Sequence, residues 1–249
     1  MRALAVLNVG IKIALVAAIV FMFTHPDLPQ FENKSLTLRA VLYPLFSLMV
    51  AAGYYLRGMR GDYPHLLDIL WSFTFTFDIV SNDAHLYGSY ENYDDLVHFI
   101  NAVPFMVVLV GLLLSLERLN GFRLGYWGII LMAFVSFVAF HAVWEMYEHS
   151  MDRFLGTNLQ PGGMVEATDN NFFAIVGALL AVTILSYWRS ARAFEAQFLS
   201  PITGYLRQLL VSQRPSPLVE LAARTQARGE FQVGVRGDER PTPASGSRV

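Results

Sequence analysis

Long apolar runs alternate with short polar breaks along this chain. Six runs can cross an apolar slab of about 30 Å, which takes about 20 helical residues. They are Leu4–Phe23, Arg39–Tyr55, Tyr63–Val80, Asp95–Leu116, Leu124–Trp144 and Asn171–Trp188. Their apolarity is continuous rather than alternating at period two, which predicts helices and not barrel strands. The second run is short and contains Pro44, and the third carries Asp68 and Asp78. The expected fold is all-α: a polytopic membrane helix bundle of about six transmembrane helices over residues 1–190.

Composition supports a bilayer location. Of 249 residues, 54% are hydrophobic and 15% charged, against roughly 25% charged in a soluble globular protein. Fourteen of the 38 charges lie in residues 189–249, so the first 188 residues are poorer still. The net charge of −2 lacks the basic surface of a nucleic-acid binder, and the expected partner is the lipid bilayer. With no Cys, disulfides, thiol catalysis and Cys-ligated zinc are excluded.

Loop charges predict the orientation. With the N-terminus inside, Arg2, Arg57, Arg60, Arg118, Arg123, Arg189 and Arg192 are internal, and Lys34, Arg39 and Arg153 external. Both termini are then cytoplasmic, and the protein is expected in the bacterial inner (cell) membrane. Phe-Met-Phe-Thr-His-Pro at 21–26 offers no small-x-small cleavage site, so residues 1–25 read as an anchor rather than a signal peptide. Residues 191–228 read as a juxtamembrane segment, with amphipathic stretches at Tyr205–Val211 and Leu218–Ala223. Residues 229–249, rich in Gly, Arg, Pro and Ser, read as a disordered tail.

Ionisable groups near membrane depth are costly, so their placement carries information. At 100° per residue, Thr74, Asp78, Ser81, Asn82 and His85 share a stripe if the third helix runs past Val80. Asp94, His98 and Asn101 share a face of the fourth helix, and His141, Glu145, Glu148, His149 and Asp152 a face of the fifth. All three stripes, with Asp169, Asn170 and Asn171 at the start of the sixth helix, fall toward the outer end. Asp94, Asp169 and Asn170 taken alone suit helix capping. Capping does not explain His98 or His141, which lie inside their spans. Acids at the C-terminal end of the fifth helix oppose its dipole, which calls for a cation such as Arg153 or a protonated His.

Three chemistries fit such a pocket, beside a structural reading in which the polar cluster only orders helix packing. One is a divalent metal (Zn, Mn or Fe(II)), with His98, Glu145 and His149 as ligands. Glu145-Met-Tyr-Glu148-His149 resembles an inverted zincin motif with Glu in place of its first His. The second is metal-free acid–base catalysis by paired carboxylates or a carboxylate–His pair, with Glu148 and Asp169 as candidates and Asp94 and Asp78 behind them. The third is a proton or cation relay, as in a transporter. The preferred reading is a site near the outer face acting on a lipid or envelope component, in which Glu148 is the base. The ridge of Ala174, Gly177, Ala178 and Ala181 predicts close helix packing.

Several motifs occur in an order that resembles the bacterial inner-membrane YjdF family, a domain of unknown function. They are Tyr93-Asp94-Asp95-Leu96-Val97-His98-Phe99, Trp144-Glu145-Met146-Tyr147-Glu148, Phe154-Leu155-Gly156-Thr157, and Glu166 and Asp169 before Ile175-Val176-Gly177-Ala178. The resemblance covers about residues 60–185 and extends distantly to VanZ-like membrane proteins. Asp95 replaces the basic residue that usually follows the first Asp, and either Asp169 or Asn170 fills the later acidic position. The resemblance implies a helical bundle in a bacterial cell membrane with a polar site near its outer face, and no particular reaction.

Overall fold

In the computed structural model, which describes residues 2–32, 36–160 and 162–210, the apolar runs form helices packed into one bundle. They are α1 (Arg2–Thr24), α2 (Leu36–Ser47), α3 (Met49–Leu56), α4 (His65–Asp83), the short α5 (Leu86–Ser89), α6 (Tyr93–Asn120), α7 (Gly125–Leu155) and α8 (Gly163–Trp188). A π-helical segment, Phe194–Leu199, then leads into α9 (Ser200–Leu210). Among the described residues there is no strand. The expectations for Lys34, for Leu218–Ala223 and for residues 229–249 lie outside the described residues.

Four helices, α1, α6, α7 and α8, are long and apolar enough to cross a membrane. A fifth crossing arises if Arg39–Ser47 and Met49–Leu56 count together, bent by 55°. The bend follows Pro44, which lacks the N–H that would continue the helical ladder. The expected third span corresponds to α4, which falls short of that apolarity because Asp68, Asp78, Asn82 and Asp83 interrupt it. Its position explains how such a helix fits: α1, α2 and α6 pack around it, so its polar groups meet protein rather than lipid.

The core lies where α6 meets α8 and α7, around Met106, Val110, Ile129, Ala133, Ala178 and Leu185. The small-residue ridge brings α8 against α6: Ala174, Ala178 and Ala181 are buried, and a Cβ on Gly177 would collide with the Phe99 carbonyl. Phe198 and Ile202, after the last long helix, are fully buried and fill the space over Gly111 of α6. By contrast Val6, Val9, Ile13, Val16 and Val20 of α1, and Leu131, Val135 and Val143 of α7, are exposed, as a lipid-facing surface requires.

One charged network pins α1 to α4. Asp68 is fully buried and accepts hydrogen bonds from Asn8 Nδ2 (2.8 Å), Lys12 Nζ (2.9 Å) and Tyr63 OH (2.6 Å). Lys12 also donates to the Ser47 carbonyl (2.7 Å) and to Ser72.

Candidate functional site

Polar positions from several helices, Glu166 of α8 among them, converge on one cavity of about 790 Å3. From α4 it receives Thr74, Asp78 and Asn82; from α6, Asp94, His98 and Asn101; from α7, His141 and Glu148. Arg39 and Tyr43 of α2 complete this end, with His85 and Tyr87 between α4 and α6. The helix of the third span runs past Val80 to Asp83, and His85 takes a left-handed backbone (φ 58°) just beyond it, so that span's stripe reaches His85 by a turn rather than by helix. Asp78 accepts hydrogen bonds from both Tyr43 and Tyr87.

Beside the cavity, His98 of α6 and His141 of α7 face each other edge to face, with Nδ1 of the first 2.9 Å from Nε2 of the second. The outer nitrogens are also engaged: His141 Nδ1 lies 3.1 Å from Asn171 Oδ1, and His98 Nε2 lies 3.6 Å from Asp94 Oδ2. Asn171 donates its own N–H to the Ala167 carbonyl (2.6 Å), which leaves its oxygen to accept from His141. His141 Nε2 is then an acceptor, and His98 Nδ1 the donor.

Glu145 is buried beneath the two rings, with Oε1 3.7 Å from His98 Nδ1 and from His141 Nδ1. Its other oxygen accepts from Gln160 Nε2 (2.6 Å) and Asn170 Nδ2 (3.4 Å). Three buried oxygens around it, Glu145 Oε1, Gln160 Oε1 and Asn170 Oδ1, have no hydrogen-bond partner among the described residues. Unpaired acceptors at such density suit a cation or a proton donor.

The loop after α7 sets Gln160 in place. Gly156 ends the helix in a left-handed conformation (φ 66°), turning the chain back on itself. Asp152 then accepts from Thr157 Oγ1 (2.6 Å) and from the backbone N–H of Leu159 and Gln160 (2.7 Å each). For Asp152, these donors take the place of the cation that the acids at this helix end called for.

His98, His141 and Glu145 can hold a metal ion: one ligand atom from each lies within 4.8 Å of the others. Two ring nitrogens bound to one tetrahedral zinc stand about 3.3 Å apart, given bonds of about 2.0 Å. The rings would therefore separate by a few tenths of an ångström as an ion replaced the proton between them.

The structure separates the expected site residues. His98, Glu145, Glu148, Asp94 and Asp78 gather at the cavity or its wall. His149 joins neither the cavity lining nor the metal-capable group; His141, one turn before Glu145, stands there instead. Asp169 is exposed at the surface of α8, and its neighbour Asn170 is the residue that reaches Glu145. Gln160 had no sequence signal, because it sits in an irregular loop and is aimed by Asp152.

The fold and the polar cavity define a polytopic α-helical membrane protein. The chain belongs to a family described as predicted membrane protein, DUF2238, whose model matches residues 3–191. No curated protein and no solved structure matches it.

Proposed function

We propose that the cavity is the site of a membrane-embedded enzyme acting on a lipid or envelope component from the outer face of the bacterial inner membrane. His98, His141 and Glu145 hold a divalent ion, Zn, Mn or Fe(II), which supplies a Lewis acid for a carbonyl or phosphoryl oxygen. The carrying observation is that group: two imidazoles and a buried carboxylate, with one oxygen lacking a donor, beside a cavity large enough for a small molecule.

Glu148 lines the cavity one turn beyond Glu145 and serves as the base. Asp94 orients His98, and Asn170 holds Glu145 in the role expected of Asp169. In this reading His149 is not a ligand. The motif order supports grouping the chain with YjdF proteins, and more distantly with VanZ-like ones.

A relay reading would need polar groups leading on to Asp68. The cavity's deep lining is Phe46, Trp71, Phe75, Phe105 and Phe137, and Asp68 is engaged with Lys12 outside it. That favours the enzyme.

Metal analysis of the purified protein, reconstituted with Zn, Mn or Fe(II), tests the reading. About one ion per chain is expected in the wild type and little in His98→Ala or Glu145→Ala. Equal metal content in all three, or none in the wild type, would overturn it.

A further inference from the structure

The wall of the cavity changes character along α2, α4, α6 and α7, and in the same direction. On α2 the polar Arg39 gives way seven residues later to Phe46; on α6, His98 gives way to Phe105. On α4, which runs the opposite way, Asp78 lies seven residues after Trp71; on α7, His141 lies four after Phe137. At 1.5 Å per residue, seven residues span about 10 Å. The cavity therefore has a polar end and an aromatic end about that far apart.

The aromatic end is one connected surface. Phe46 stacks on Phe75 (centroids 5.5 Å apart), which meets Trp71 (5.5 Å); Trp71 meets Phe105 (5.6 Å), and Phe105 stacks on Phe140 (4.9 Å). Phe46 and Phe140, at its two extremes, are 37% and 52% exposed. Both ends of the wall thus reach the surface that the bundle presents to hydrocarbon.

At the polar end, Arg39 is a half-buried guanidinium with five donors. No hydrogen bond or ion pair joins it to another described residue; its contact is with the ring of Tyr43, 5.8 Å from the centroid. The nearby carboxylate Asp78 is occupied by the hydroxyls of Tyr43 and Tyr87. The carboxylates of Asp78 and Glu148 act on its charge across the cavity, yet neither takes its hydrogen bonds, so its donors are open to an acceptor from outside the chain; a planar guanidinium matches a phosphate in two-toothed fashion.

We infer that the cavity binds a phosphate-bearing amphiphile, its phosphate on Arg39 and its chain along the Phe46–Phe140 wall. This deepens the proposal above by naming the substrate class. It rests on reading this cavity as the substrate site, and it does not need the metal. The phosphate would lie at the end where His98 and His141, and also the acids Asp78, Asp94, Glu148 and Glu166, face the cavity.

The test uses the full chain in dodecyl maltoside, whose neutral head carries the same chain length as the probe. Trp71 and Trp144 line the cavity, so dodecyl phosphate is titrated by intrinsic fluorescence. Butyl phosphate and inorganic phosphate form separate arms. The expected result is saturable binding of dodecyl phosphate, much weaker binding of the other two, and about tenfold or greater loss in Arg39→Gln. Arg39→Lys keeps the charge without the fork and should lose several-fold.

Equal affinity in the wild type and Arg39→Gln overturns the inference, as does inorganic phosphate binding as tightly as dodecyl phosphate. Should Arg39→Gln fail to fold, Arg39→Lys decides alone: a several-fold loss supports the inference and unchanged affinity overturns it. Metal content measured on the same samples separates the two proposals. Metal retained in Arg39→Gln while the amphiphile is lost supports both. A wild type without metal that still binds dodecyl phosphate through Arg39 sinks the metal reading and leaves this one standing.

Discussion

His98 Nδ1 and His141 Nε2 lie 2.9 Å apart although 43 residues separate them in the chain. Each ring is held from behind, His98 by Asp94 and His141 by Asn171, so the two nitrogens have one relative position. Glu145 completes the group from below.

Such a network should be strongly coupled. Either His98→Ala or Glu145→Ala alone leaves buried partners unpaired and should cost about 1–3 kcal/mol. The double variant should fall short of the sum by about 0.5–3 kcal/mol. Thermal unfolding in detergent, with and without Zn, reads this out; stabilisation by the ion should vanish in each single variant. Small additive losses without a metal response would reduce the cluster to helix packing.

Lys12→Met should be among the most destabilising single changes in α1. It strands a fully buried Asp68, and breaking one side of a buried pair costs about 3–5 kcal/mol. Lys12→Met with Asp68→Asn should recover most of the loss in the same unfolding assay. No recovery would mean that the lysine acts through its bond to the Ser47 carbonyl instead.

At the α6–α8 crossing, Gly177→Ala should cost about 1–3 kcal/mol, because the new methyl meets the backbone carbonyl of Phe99 and the Ala102 side chain. Gly10→Ala in α1 is the control, since nothing lies within 4 Å of its Cβ position. It should be neutral or stabilise by up to about 1 kcal/mol through helix propensity. Melting temperatures of the two variants compare them directly.

Arg118 forms a two-toothed pair with Glu195, at 2.6 and 2.7 Å, on the exposed flank of the bundle. The hydrogen bond from Arg118 holds the Glu195 carboxyl below its ordinary pKa. A depressed carboxyl contributes fully above its unfolded pKa and loses that contribution as pH falls through the folded one. Glu195→Gln should therefore cost less than about 1 kcal/mol near neutrality and nothing at strongly acidic pH. A difference that grows on acidification would contradict the assignment.

The orientation makes a separate prediction. With both termini cytoplasmic, Ser89, between α4 and α6, faces outward. The chain has no Cys, so Ser89→Cys can be labelled cleanly in whole cells. A membrane-impermeant maleimide should reach it from outside. Labelling only after the cytoplasmic side is opened would invert the topology.

Apolar periodicity located the long helices but not their ends. The fifth apolar run stops at Trp144, yet α7 continues to Leu155; the sixth begins at Asn171, yet α8 starts at Gly163. Hydropathy follows the hydrocarbon slab, whereas backbone hydrogen bonds carry a helix on into polar surroundings. The three polar stripes were legible because a period of 100° needs no tertiary information. Choosing among the histidines was not: His141 and His149 both lie near Glu145 on one helix, and only the approach of α6 selects His141. Arg39 was counted as a loop charge because it stands at the edge of the second apolar run, which hid its place on the cavity wall. Lys12 and Asn8 did leave a signal, two polar residues one turn apart inside the first apolar run. Their partner Asp68 lies 56 residues from the lysine, beyond the reach of any local pattern.

That separation bears on how the chain is made. During synthesis α1 reaches the bilayer while Asp68 is still to be translated, and a lysine at mid-helix costs about 2.5–3.5 kcal/mol on insertion. The flanking valines, leucines and isoleucines of α1 offset that cost, but the ammonium has no counter-charge until α4 arrives. Until then α1 carries one unneutralised charge, and its hold on the bilayer is weaker than its apolar length implies.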